Sequence, residues 1–317
     1  SHLTKKALFD IATQAIKDGK AGAGVKEAYE SENFASLAHK LGVKVIHVAE
    51  RDTQVTDKPK QVNEFVNTWS VEGFYEEGIA PAELGWGTHE KTLPINAYQH
   101  PDGPKNQICI AQPGAKTWVR SWVPNMETTG MVIRHGEAFT ISDHLTVWDK
   151  EKAVYRPTVH YAYCPTDAAV ASMHELEMRQ WDLTTNQRIM NEEIIDGDDR
   201  LGVLLMGHAY KSWWTGSLLN IHDSRKLIPK QSATTVQVAS AVYAAVAWAM
   251  ANPNAGYRVP DDLPWREVLA FAEKYWGGYH SAAADWDPLM HRNDLYKGWN
   301  NRKYDESDPW QFSNFLV

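Results

Sequence analysis

The sequence predicts an α+β fold, a mixed β-sheet layer covered by helices, and three observations predict it. An amphipathic helical run opens the chain, and residues 65 to about 162 break into short segments rich in Val, Ile, Thr and aromatics. An Ala-rich helical stripe occupies the last third. Helices at both ends of a β-rich middle give a sheet with helices on one face.

The elements follow in order. Leu3, Ala7, Leu8, Ile11, Ala12, Ala15 and Ile16 recur on one helix face, and Gly19 stops the run. A second helix is expected over residues 32–41, where Phe34, Leu37, Ala38 and Leu41 share a face, Ser31 caps the start and Gly42 ends it. Residues 43–49 form a β-branched run of buried-strand length. Strands are expected at 65–70, 108–112, 117–123, 131–134, 138–146 and 153–163, then a helix to about Glu177 capped by Thr166 or Asp167. Strands at 201–206 and 210–219 precede a helix carrying Val236, Ala239, Val242, Val246 and Ala249 on one stripe. Pro264 suits the first turn of a further helix after Asp262 as cap, and the irregular, aromatic tail from Asp285 is expected to wrap over another surface. No repeat or linker divides the chain, so residues 1–317 are expected to form one domain.

Composition narrows the partners. The formal net charge is −8, without a Lys/Arg-rich run or a nucleic-acid motif, so a phosphate backbone is repelled and small cations are favoured. Fourteen Trp and thirteen Tyr residues offer ring faces, which attract cations by about 0.5 to 2 kcal/mol per well-placed contact, although most such rings fill cores and interfaces. The most apolar stretch, 236–251, has the length of a buried helix, so no membrane span is expected. Cys109 and Cys164 match neither a disulfide framework nor a metal site, which suits a reducing cytoplasm. The chain opens on Ser1 without a signal core, and a longer parent protein is expected.

Several stretches carry chemistry-bearing side chains. Glu50-Arg51-Asp52 ends a predicted strand, where a carboxylate faces a cleft or Arg51 forms a surface ion pair. Residues 67–77 place Trp69 and several carboxylates in a strand and turn, and Trp69 and Glu77 share a pocket there only if the chain bends near Gly73. His135 falls in a predicted hairpin turn, where it is either solvated or, beside carboxylates, able to shuttle a proton near neutral pH. Asp196-Gly197-Asp198-Asp199 reads as a solvated turn or an anionic wall; its spacing fits calcium least. Gly19 to Gly24 follows a helix rather than a strand and lacks the spacing of a dinucleotide loop.

One resemblance extends over nearly the whole chain. Phe65-Val66-Asn67-Thr68-Trp69-Ser70-Val71-Glu72-Gly73-Phe74, Pro81-Ala82-Glu83-Leu84-Gly85-Trp86-Gly87-Thr88, His160-Tyr161-Ala162-Tyr163 and Ser307-Asp308-Pro309-Trp310-Gln311-Phe312 closely resemble bacterial homospermidine synthases. So do residues 42–54, 154–158, 201–205 and 252–256. The resemblance implies that residues 1–317 form the second, substrate-binding and dimerisation domain of a saccharopine dehydrogenase-like architecture, with terminal helices packing on an N-terminal Rossmann domain that binds NAD and is absent from these residues. It implies a reaction in which putrescine loses a hydride and ammonia, a second amine condenses to a Schiff base, and the stored hydride reduces it. Carried over, Glu50, Glu77 and Asp199 bind the ammonium groups of the diamine, Trp69 holds a cation by its ring face, and His135 transfers protons. Asn67 and Glu137 are neighbours able to contribute. A homodimer is implied as well. The competing readings are a reductase of carboxylated amines, which needs Arg or Lys in its pocket, and a non-catalytic binding or oligomerisation module.

Overall fold

Burial along Val45–Asp52 (β1) is nearly continuous rather than alternating, which marks a central strand covered on both faces. In the computed structural model, which describes all residues except 294, 295, 297 and 300–303, β1 lies in the middle of a ten-stranded sheet. The other strands are β2 (Pro81–Gly85), β3 (Ala97–Gln99), β4 (Gln107–Pro113), β5 (Trp118–Val123), β6 (Met126–Met131), β7 (Thr158–Cys164), β8 (Asp198–His208), β9 (Lys211–Asn220) and β10 (Tyr279–Ala284). Their order is β10-β9-β8-β1-β7-β2-β4-β3. Only β1 and β7 run parallel in this sheet. The sheet forks at β7, where Val159 pairs with Gly85 of β2 and Tyr163 with Met131 of β6.

The two faces are covered differently. Ile46, Val159, Val203, Leu205 and Trp213 pack beneath Leu8 and Ile11 of α1 (His2–Lys17), Leu37 of α3 (Phe34–Leu41) and Leu269 of α9 (Trp265–Ala272). Val45, Ala49, Leu204, Met206 and Trp214 face the β5–β6 hairpin and Trp286, Trp310, Phe312 and Phe315 of the tail. Each fully buried aliphatic or aromatic side chain in these layers contributes about 1.5–3 kcal/mol. The mixed sheet with helices on one face is therefore as expected, and the described part of the tail does wrap over the other face; residues 294, 295, 297 and 300–303 of that tail lie outside the described residues.

Several local expectations are corrected. Helix α3 is capped by Asn33, whose side chain accepts from Ser36 N, rather than by Ser31, and a short helix α2 (Val25–Glu30) precedes it. The strand begun at Phe65 ends at Asn67, residues 68–69 form a bend, and helix α4 (Val71–Ile79) follows. Ser70 starts that helix, accepting from Gly73 N, and this cap outweighs the β-propensity of the aromatics. Residues 138–146 form helix α5 (Glu137–His144) instead of a strand, and β6 ends at Met131, so His135 stands before a helix rather than in a hairpin turn. The expected strand 153–163 is split at Arg156-Pro157 into Lys152–Tyr155 and β7, because Pro157 has no N–H to give a ladder. Thr166 caps α6 (Asp167–Met178), while Pro264 is itself the N-cap of α9.

After α7 (Ile221–Leu227), helix α8 (Ala233–Ala251) differs most from a buried helix. Val236, Gln237 and Ser240 face the fold, but Val238, Val242, Val246 and Met250 are 49%, 60%, 52% and 77% exposed. It is also the one described helix long and apolar enough to span a membrane.

Candidate active site

Because β1 and β7 are parallel, their C-terminal ends lie side by side. Val48 is level with Tyr161 and Glu50 with Tyr163, while on the other flank Glu50 is level with Leu201 and Asp52 with Asp199 of β8. Side chains alternate along a strand. Val48, Glu50, Asp52, Tyr161, Tyr163, Asp199 and Leu201 therefore share the helix-covered face, in step with Ile46, Val159 and Val203.

A cavity of about 410 Å³ opens over this face, floored by Val48, Tyr161, Leu201 and Val203 and walled by His135 and Glu137 on one side and α8 on another. Among the described residues, no Lys or Arg lines it. Of the five residues expected from the sequence, His135 alone lines it; Glu77 reaches it through His135 and Asp199 through Gln237, while Glu50 and Trp69 lie beside Tyr163.

His135 and Glu77 are joined, with Nε2 and Oε2 3.0 Å apart, and His135 Nδ1 lies 3.1 Å from Glu137 Oε2. Its ring stacks on Tyr161 with centroids 4.3 Å apart. Burial disfavours the imidazolium, but the hydrogen bonds to Glu137 and Glu77 and their charges outweigh it and hold His135 up at about 9. The same contact draws Glu137 down to about 2. The solvated-turn reading of His135 is thus replaced by a charged group clasped between two carboxylates.

Trp69 is partly buried, and its Nε1 donates to Tyr163 Oη at 2.9 Å. Its ring crosses the first turn of α4, where a Cβ added to Gly73 would lie 3.0 Å from Trp69 Cζ3. Gly73 and Glu77 are one turn apart on that helix, so winding of α4 supplies the bend that brings Trp69 and Glu77 to one side.

Glu50 is 6% exposed and Asp199 0%. Burial pushes the Glu50 carboxyl well above its ordinary range, and the charges of Asp199, Asp52 and Glu77 push further. Asp199 is raised likewise, first by burial and then by Asp52, against a smaller pull from the nearby Thr234 hydroxyl; that hydroxyl is donated to Asp52, and neither Asp199 oxygen has a partner in good hydrogen-bond geometry. Arg51, on the opposite parity, instead pairs with Asp167 at 3.0 Å. The Asp196–Asp199 turn does not act as one wall: Asp196 lies 3.5 Å from His222, Asp198 bonds Arg200, and only Asp199 turns inward. No cluster of three metal-ligating side chains occurs among the described residues.

The sequence reading leaves Asp52 without a role within Glu50-Arg51-Asp52, gives none to Tyr161 and Tyr163, and misses Gln237. Strand parity was the available signal for the first three, since residues two apart from Glu50 and from each other must share its face. Gln237 carries no such signal; its Nε2 donates to Asp199 O at 3.0 Å and Ser217 Oγ at 2.8 Å beside the cavity.

This arrangement can hold small cations at a dry, acidic, aromatic wall and can place a proton at His135. The chain is 47% identical over 320 residues to the homospermidine synthase of Blastochloris viridis, covering 100% of this chain and 65% of that protein. It is 44% identical over 320 residues to the homospermidine synthase of Mesorhizobium japonicum, covering 100% of this chain and 64% of that one. The chain thus spans 65% and 64% of the lengths of these curated relatives. A crystal structure of the Legionella pneumophila homospermidine synthase in complex with NAD matches with TM-score 0.91 and 41% identity, over 100% of this chain and 67% of that one. The saccharopine dehydrogenase C-terminal domain family matches residues 9–276, and the chain belongs to that family.

Proposed function

We propose that the chain forms the amine-binding part of a homospermidine synthase, which makes homospermidine from two putrescines with NAD as a recycled hydride carrier. The observation that carries this reading is the gathering of Glu50, Glu77, Glu137 and Asp199 around Tyr161 and Tyr163, beside a cavity that no Lys or Arg among the described residues lines. Such a site favours a diammonium and disfavours the carboxylated amine of a related reductase, whose carboxylate needs a cation.

In this reading Glu50, Glu77 and Asp199 receive the ammonium groups through charge-assisted hydrogen bonds. Trp69, steadied by Tyr163, offers its ring face to a cationic centre and no nucleophile. His135 carries the proton: an ammonium arriving beside Glu77 and Glu137 competes for the carboxylates that hold the imidazolium and eases loss of its proton.

The Gly19 to Gly24 run does not form a dinucleotide loop, because it joins α1 to α2 rather than a strand to a helix. NAD is assigned to another part of the enzyme, and these 317 residues alone are expected to show neither NAD binding nor turnover. A homodimer belongs to the same reading, and pairing would cover an exposed apolar face such as that of α8. So does a cytoplasmic setting, which suits the free thiols of Cys109 and Cys164.

The test is product analysis of the full-length protein with putrescine and NAD. Homospermidine and ammonia in equal amounts are expected, with strong loss in Trp69→Ala; intact assembly without any product from diamines would instead favour a non-catalytic module.

A further inference from the structure

The Trp69 indole is held by more than its bond to Tyr163. The residue before it, Thr68, is fully buried and donates from Oγ1 to Asp52 Oδ2 at 2.7 Å. Thr234 of α8 donates to the same oxygen at 2.8 Å, and Gln54 gives its backbone N–H and side-chain amide to Asp52 Oδ1 at 2.9 and 3.0 Å. The Thr68 carbonyl is in turn met by Ser232 Oγ at 2.9 Å and Thr235 Oγ1 at 3.1 Å. Gln54 Oε1 accepts from Ala233 N at 2.9 Å, closing the knot.

We propose that Asp52 is a positioning residue for Trp69: with Thr68, Thr234 and Gln54 it clamps the peptide carrying the indole between the end of β1 and the first turn of α8. Asp52 touches neither the cavity nor Trp69 itself. Its action runs through Thr68, one peptide bond from the ring-bearing residue, and a buried carboxylate with four donors is a rigid anchor. α8 therefore has a second task beside lining the cavity, because its N-terminal hydroxyls fix the backbone on which the cation-binding ring is mounted. This inference rests on the reading of Trp69 as a cation-binding side chain.

The test uses the full-length protein with NAD present and reads KM for putrescine, kcat and melting temperature. Thr68→Val and Thr234→Val keep shape and remove one donor each; each is expected to raise KM about tenfold, as loss of a hydrogen bond to a charged group implies. Thr68→Ser and Thr234→Ser, which keep the donor, are expected to restore the parent KM. In a Trp69→Ala background, Thr234→Val should raise KM no further, because there is no ring left to position. Should either valine variant be too unstable to assay, the other and the serine pair carry the comparison. A Trp69→Ala enzyme with parental KM removes the amine-site reading itself. If Trp69→Ala raises KM but the valine variants do not, or their effect persists undiminished in the Trp69→Ala background, the positioning role is overturned.

Discussion

Asp52 and Asp199 are level with one another on adjacent strands, both fully buried, yet Asp52 receives four hydrogen bonds, one of them from Thr234, while Asp199 has only that hydroxyl nearby and no bond of good geometry. One carboxylate is consumed by structure and the other is kept open at the expense of stability. Asp199 has its folded-state pKa raised above the unfolded 3.8, so stability falls as pH rises from there through the raised value. Asp199→Asn is therefore expected to stabilise the protein at pH 8 by about 1–2 kcal/mol, with a smaller gain at pH 4. Amine binding should weaken in the same variant. Urea unfolding at the two pH values checks this, and an equal effect at both would oppose it.

Gly73 gives a test in which stability and function part company. An Ala there suits the helix by about 1 kcal/mol but places its Cβ 3.0 Å from Trp69 Cζ3. The ring must shift to relieve that contact. Gly73→Ala is expected to melt at or above the parent temperature while KM for putrescine rises several-fold, within the range of one cation–π contact. An unchanged KM would mean that the ring's placement is unimportant.

His135 sets an alkaline limit. Its pKa is raised from 6.5 to about 9, so the stability it contributes is complete below about 6.5 and is lost as pH rises through about 9. The His135 and Glu77 side chains are 26% and 27% exposed, and the contribution is on the order of 2 kcal/mol after allowance for screening. The stability gap between the parent and His135→Gln should be largest near pH 6 and should close by pH 10. Chemical denaturation across that range measures it; a constant gap would assign the effect to packing.

The tail is fastened by a titrating carboxyl on the opposite face of the sheet. Glu90 accepts from Thr158 Oγ1 at 2.6 Å and from Phe312 N at 3.0 Å, and burial lifts it from 4.5 to about 7 despite those bonds. Stability is therefore lost between pH 4.5 and 7, where the folded protein holds a proton that the unfolded chain has released. Gln keeps one acceptor for Phe312 N and one donor for Thr158, so Glu90→Gln should remove this loss, a gain of about 2 kcal/mol above pH 7. Melting temperatures at pH 5 and 8 would show the gain only at the higher value.

Much of the fold is readable where one period dominates. Leu8, Ile11 and Ala12 mark α1, and continuous apolar residues mark β1. Reading fails in α4 and α5, where Trp69, Phe74, Tyr75, Phe139 and Ile141 argue for strand by type, while Ser70 in one case and tertiary packing in the other decide for helix. The expected site residues converge because neighbouring strands bring Glu50 and Asp199 together and α4 and α5 bring Glu77 to His135. Glu137 and Asp52 are harder to single out, since Glu137 matters through His135, which is also held by Glu77, 58 residues from His135 along the chain, and Asp52 through Thr68 and Thr234, 16 and 182 residues away from Asp52. A sequence displays spacing along the chain, not which carboxylate a distant threonine will reach.

The central claim is that this acidic, indole-walled face receives a diammonium. Calorimetric titration of putrescine into the full-length protein saturated with NAD tests it most directly. Saturable binding is expected, weakened at least tenfold by Trp69→Ala and by Glu50→Gln, as removal of a buried charge-assisted contact implies. Binding that survives both substitutions unchanged, or that favours a carboxylated amine over putrescine, would contradict it.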